Sequence, residues 1–83
     1  MTLTVRLFAR AKDLAGADAV RVDLRDGASV AELRDALARR VPGLAGLLDR
    51  SALAVNGEFA AADRALAAGD EVALLPPVSG GGW

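Results

Sequence analysis

The residues of this chain that could do chemistry are few, and they gather at one end. The sequence closes on Pro76-Pro77-Val78-Ser79-Gly80-Gly81-Gly82-Trp83. Three glycines beside a terminus have no side chains to pack and are entropically costly to fix. What they offer is slimness. A terminal carboxylate on a glycine tail can thread a narrow channel and meet the reactive centre of another protein. Extended from Pro76 to Gly81, such a tail reaches about 20 Å, and Pro76 and Pro77 stiffen its base. Taken alone, terminal glycines read more simply as a frayed end.

The remaining composition excludes most other chemistry. The chain has no Cys and no His, which removes the usual zinc and copper sites and any Ser-His or Cys-His nucleophile pair. Tyr is absent and Lys12 is the sole lysine. Asp70 and Glu71 are adjacent carboxylates, but neighbours on a strand face opposite sides, so they read as turn and surface charge. The formal net charge is −1 and the arginines are scattered, which leaves no footprint for nucleic acid or for an anionic membrane. The N-terminus lacks a basic region followed by a long apolar run, and no apolar stretch approaches the roughly 20 residues of a membrane span. A cytoplasmic protein is expected, with no nucleic-acid or membrane partner.

A length of 83 residues fits one domain. Hydrophobic residues make up 53%, enough for a core, although a chain this short hides only about 60% of its unfolded surface. Leu3 to Phe8 alternates with period two: Leu3, Val5 and Leu7 face one way, Thr4, Arg6 and Phe8 the other. This is a half-buried strand. Residues 9–18 read as a loop with at most one helical turn. Val20–Leu24 alternates again and pairs antiparallel with the first strand. Ser29 and Glu32 form a capping box for a helix from Val30 to about Arg40. Its apolar face is Val30, Leu33, Leu37 and Val41, and Asp35 and Arg39 form an exposed i,i+4 pair. Val41-Pro42-Gly43 ends it, and a short helical turn over 44–48 follows. Leu53–Val55 is a strand, Asn56-Gly57 a hairpin turn and Glu58–Ala60 the returning arm. Leu66 anchors the connection over 61–68. Glu71–Leu75 is the last strand, stopped by the two prolines.

This order predicts an α+β fold, a β-grasp (ubiquitin-like) roll whose mixed sheet carries one main helix packed on one face. The first and last strands lie parallel at its centre. The body spans 1–75, and 76–83 is a flexible glycine-rich tail. The helix covers Leu3, Val5, Leu7, Val72 and Leu74. Phe8, Leu75 and Phe59 are left on the open face, where an exposed apolar patch marks a protein partner. Arg6 and Arg10 would meet an acidic rim of that partner.

The segment from Asp70 to Gly81 resembles the C-terminal signature of the small subunit of molybdopterin synthase (MoaD), in the family that also holds the thiamine sulfur carrier ThiS. Leu7-Phe8-Ala9-Arg10, Leu14-Ala15-Gly16 and Ala54-Val55-Asn56-Gly57 agree with it, so the similarity covers nearly the whole chain. The resemblance implies a non-catalytic, sulfur-donating subunit. An E1-like adenylyltransferase/sulfurtransferase uses ATP to adenylate the C-terminal glycine. Sulfur from a persulfide then displaces AMP, leaving a thiocarboxylate. The tail enters the molybdopterin synthase large subunit and donates sulfur for molybdenum cofactor synthesis. By position the acceptor is Gly81, with Gly82 the fallback and Gly80 beside it. Phe8, Phe59, Leu75, Pro76, Pro77 and Val78 would contact partners. No cofactor is expected on the chain itself, since ATP belongs to the activating enzyme.

The sequence departs from the family in one place. Relatives of this type end at the position of Gly81, and here Gly82-Trp83 follow. Either a metalloprotease trims the extension or Trp83 is a tolerated end. Three other readings stay open: a carrier for thiamine, cysteine or another thio-metabolite; a ubiquitin-like modifier of proteins; and a plain interaction domain with an inert tail.

Overall fold

Burial alternates residue by residue along β1 (Thr2–Leu7), with Leu3, Val5 and Leu7 inside and Thr2, Thr4 and Arg6 outside. The computed structural model describes residues 1–76. β1 pairs antiparallel with β2 (Ala19–Asp23), which buries Val20 and Val22. β3 (Ala52–Val55) and β4 (Glu58–Phe59) form a hairpin. Asn56 and Gly57 turn it with φ of +52° and +82°, the left-handed pair that a two-residue hairpin needs. β5 (Val72–Leu75) lies between β1 and β3, parallel to the first and antiparallel to the second. The strand order is β2-β1-β5-β3-β4, with the last strand in the middle of the sheet as the sequence predicts. This is the β-grasp arrangement.

Helix α2 (Val30–Arg40) crosses one face and buries Val30, Leu33 and Leu37, while Val41 is half-buried beyond its end. Its first amides are all satisfied, as buried helix ends require. Val30 donates to the Arg64 carbonyl at 3.0 Å and Ala31 to that of Ala62 at 2.9 Å. Glu32 N–H donates to Ser29 Oγ at 3.2 Å, and Ser29 N–H to Glu32 Oε2 at 2.7 Å, so the capping box is complete. The connection over 61–68 is therefore tied to the helix start. The Leu66 amide reaches the Ala28 carbonyl at 2.8 Å, and the Leu66 side chain is buried in the core.

After α2 comes a single 3-10 turn, Pro42–Leu44, and then the short helix α3 (Ala45–Leu48). Arg34 of α2 donates to the carbonyls of Leu48 and Ser51, tying this irregular stretch to the main helix. Leu44, Leu47 and Leu48 complete the core.

Several sequence expectations need correction. Residues 9–18 are not mainly loop: α1 (Ala9–Ala15) makes two turns and ends at left-handed Gly16. The helix lacks a side-chain cap and its only buried residue is Ala11, so neither a cap signal nor an apolar stripe announced it. Asp35 and Arg39 form no ion pair among the described residues, and both stay solvated; the ion pair made by a residue of α2 is Arg25–Glu32. β1 and β2 each run one residue earlier than expected, β3 begins at Ala52, β4 stops at Phe59, and β5 begins at Val72, not at Glu71.

Candidate functional site

The face of the sheet opposite α2 carries the residues expected to meet a partner. Leu7 pairs with Leu74, and Phe8 continues β1 in extended conformation, with φ −131° and ψ 156°. One step past that pair, Phe8 therefore falls on the same side as Leu75. Ala9 then turns the chain with φ of +51° into α1, which leaves Phe8 at the corner, 45% exposed. Leu75 is half-buried and pairs with Ala52. One row along, Arg6 pairs with Ala73, Ala73 with Ala54, and Ala54 with Phe59.

Phe8 and Phe59 thus share a face but do not touch. Three strand spacings and a two-residue offset separate their backbones, roughly 16 Å. Ala52, Ala54 and Ala73 fill the interval with a flat floor, and Leu75 stands beside it. The sequence reading missed these alanines. Their signal was the alternation in Ala52-Leu53-Ala54-Val55 and Val72-Ala73-Leu74, where each large residue goes inward and each alanine outward. Phe59 is 71% exposed, on a strand of two residues at the sheet edge. The face has two halves: an apolar one over β3, β4 and β5, and a polar one with Thr2, Thr4, Arg6, Arg21 and Asp23 over β1 and β2. Arg6 sits on the boundary, and exposed Arg10 follows Phe8 in the first turn of α1.

β5 connects this face to the tail. At its start, the Asp70 carboxylate accepts from the Ala67 amide at 2.8 Å and from Asn56 Nδ2 at 3.0 Å. These bonds, the Ala67 amide first, hold its pKa below the ordinary carboxylate value. Asn56 Oδ1 accepts from the Glu71 amide at 2.9 Å, and the Asn56 amide donates to the Glu71 carbonyl at 2.7 Å. Asp70 is therefore a turn tie, and Asp70 and Glu71 do not form a catalytic pair. The strand ends at Leu75, followed by buried Pro76. The reactive candidates Gly80, Gly81 and Gly82, and the contacts assigned to Pro77 and Val78, lie outside the described residues.

A groove of about 440 Å³ runs over the polar half of the open face. Arg6 is its one cation, and the Asp70 and Glu71 on its rim are held in the turn. Among the described residues no cluster of acidic side chains could hold a metal ion, and no helix is long and apolar enough to cross a membrane.

A β-grasp body with an apolar open face and a central strand leading into a glycine tail has the design of a ubiquitin-like carrier. The sequence model of the ThiS family matches residues 5–81, and the chain belongs to this ThiS/MoaD family of sulfur carriers. It is 44% identical to small archaeal modifier protein 1 of Haloferax volcanii, over 92% of this chain and 97% of that protein. The crystal structure of that relative superposes with a TM-score of 0.88 at 40% identity, covering 98% of this chain and 100% of the other. A molybdopterin synthase sulfur carrier subunit from Chlamydomonas reinhardtii is 34% identical over 98% of this chain and 100% of its own length. The Helicobacter pylori complex of subunits 1 and 2 of molybdopterin-converting factor contains a similar chain. That chain has a TM-score of 0.70 and 28% identity, over 98% of this chain and 100% of its own.

Proposed function

We propose that this chain carries sulfur as a C-terminal thiocarboxylate and donates it in molybdopterin synthesis. The observation that carries the reading is that the family match runs through the body and on to Gly81, the second glycine of the tail. The composition supports it: a carrier whose terminus holds the sulfur needs neither Cys nor His. An activating enzyme of the E1 type adenylates the glycine carboxylate with ATP, releasing pyrophosphate. The outer sulfur of a persulfide attacks the acyl-adenylate and displaces AMP, giving an acyl disulfide. A second thiol then attacks the persulfide's inner sulfur, leaves joined to it as a disulfide, and releases the thiocarboxylate. Gly81 is the acceptor once Gly82-Trp83 are removed by a metalloprotease, and Gly80 keeps the approach slim. Should cleavage fall after Gly82, that residue takes the role. Phe8, Phe59 and Leu75 dock on the molybdopterin synthase large subunit, while Pro76, Pro77 and Val78 direct the tail into it.

The test uses the full chain and a form ending at Gly81. Each is incubated with ATP, an activating enzyme and a sulfur donor, and weighed intact. The form ending at Gly81 should gain the mass difference of one oxygen replaced by sulfur. No gain in either form overturns the reading.

The similarity to an archaeal modifier protein favours a second reading, in which the activated glycine is passed to lysines of target proteins. Conjugates that survive a denaturing gel would distinguish it, with Lys12 the sole internal lysine available for chain building.

A further inference from the structure

β2 is the outer strand of the sheet, away from the apolar half of the open face and from the end of β5. Leu3 pairs with Val22 and Val5 with Val20. Beyond them the Leu24 amide reaches the Met1 carbonyl at 2.7 Å and the Leu7 amide the Asp18 carbonyl at 2.9 Å. In an antiparallel ladder this phase turns the backbone groups of Val20 and Val22 toward β1 and those of Ala19, Arg21 and Asp23 outward. Among the described residues no turn, loop or side-chain hydrogen bond takes up these outward groups. The opposite edge, β4, is only two residues long.

A groove of about 320 Å³ follows this edge, between β2 and the end of α2. Arg21, Val22, Asp23, Ala36, Arg39 and Arg40 line it. Val22 is buried and Ala36 half-buried, which gives an apolar floor. The three arginines are exposed, and none is in an ion pair among the described residues. The one carboxylate, Asp23, already accepts from the Thr2 hydroxyl. In a chain of net charge −1, this is a local surplus of positive charge beside a row of unused peptide donors and acceptors.

We propose that the β2 edge docks an extended acidic peptide segment of a partner protein, added to the sheet as a sixth strand. Side chains of the segment that point toward α2 lie on the Val22–Ala36 floor and bring a carboxylate to Arg39 and Arg40 at the helix end. Carboxylates of the other alternate set meet Arg21 on the open face, and the backbone pairs with Ala19, Arg21 and Asp23. A peptide fits where a nucleic acid does not, because the edge presents carbonyl acceptors as well as amides and a phosphodiester backbone has no donors for them. The inference does not depend on which sulfur pathway the tail serves. The opposing possibility is that the charges only guard the edge against aggregation.

The probe is an acetylated peptide of about ten residues, a length that covers the strand. One alternate set of its side chains is valine at the centre and glutamate at the ends, for the floor and Arg39 and Arg40, and the other set is glutamate, for Arg21. Binding to the full chain is followed by residue-resolved amide exchange. The amides of Ala19, Arg21 and Asp23 should gain protection, and those of Val20 and Val22 should change little. Joint replacement Arg39→Glu and Arg40→Glu should weaken binding at least about tenfold. The milder Arg39→Gln and Arg40→Gln pair, which spares the helix end, should weaken it less. A peptide with alternate amides N-methylated, or with lysine for glutamate, should not bind. Absence of binding at millimolar peptide, equal binding of the N-methylated peptide, or protection centred on Phe59 and Leu75 would each overturn the proposal.

Discussion

Arg25 grips the carboxylate of Glu32 with two parallel hydrogen bonds, Nε to Oε1 at 2.7 Å and Nη2 to Oε2 at 2.8 Å. The second oxygen also accepts from the Ser29 amide at the start of α2. Arg25 first, and then the Ser29 amide, lower the Glu32 pKa from its ordinary 4.5 to about 2. A carboxylate with a depressed folded pKa stabilises above its unfolded value, and that contribution fades as pH falls toward the folded one. Glu32→Gln should therefore lower the melting temperature at neutral pH. The gap to the unaltered protein should close between about pH 4.5 and 2. Melting curves across that range decide it; a constant gap would show that the ion pair contributes nothing.

Asn56 has two structural duties that substitutions can separate. Its φ of +52° suits Asn or Gly, and its side chain bridges Asp70 and Glu71. Asn56→Gly keeps the turn and loses the bridge, at about 1 kcal/mol. Asn56→Ala loses both, at about 2 kcal/mol. Urea midpoints of the two variants should fall in that order.

Arg34 ends in the carbonyls of Leu48 and Ser51, half-buried beneath the irregular stretch after α2. Removing a charged donor from these partly buried carbonyls costs about 1.5 kcal/mol, the low end for such bonds. Arg34→Ala should show this loss in urea unfolding, together with faster amide exchange in α3.

Phe59 is exposed and supports little of the fold, so Phe59→Ser should change stability by no more than about 0.5 kcal/mol. The same change should weaken association with a molybdopterin synthase large subunit about tenfold or more, as loss of an aromatic anchor does. Calorimetric titration paired with a melting curve reads both; equal affinity would remove Phe59 from the docking face.

Much of this architecture was legible because its signals are local. Alternation placed β1 and β2, the Ser29–Glu32 spacing placed the start of α2, and Asn56-Gly57 placed the hairpin. Helix α1 escaped because its seven residues bury only Ala11 and its entry depends on a left-handed Ala9 that no propensity favours. Arg25–Glu32 spans seven positions, and the bonds from α2 to the 61–68 connection span about thirty. No periodicity reports such pairings. The candidate site divides in the same way. Phe8, Phe59 and Leu75 follow from alternation, whereas the alanine floor between them needed the strand order β1-β5-β3-β4. The glycine acceptor rests on sequence similarity, outside the described residues.

The position of β5 has a consequence for synthesis. A ribosome makes β1 first and β5 last of the five strands, yet β5 is the one that joins β1 to β3. Until Val72–Leu75 emerge, the β1–β2 ribbon and the β3–β4 hairpin have no shared sheet, and two-stranded ribbons are marginal in water. Pairing across nearly the whole chain is also intrinsically slow. A product interrupted before Val72 should therefore remain unfolded and open to proteases, so the polypeptides that survive as folded bodies are those already made up to the strand that leads into the glycine tail.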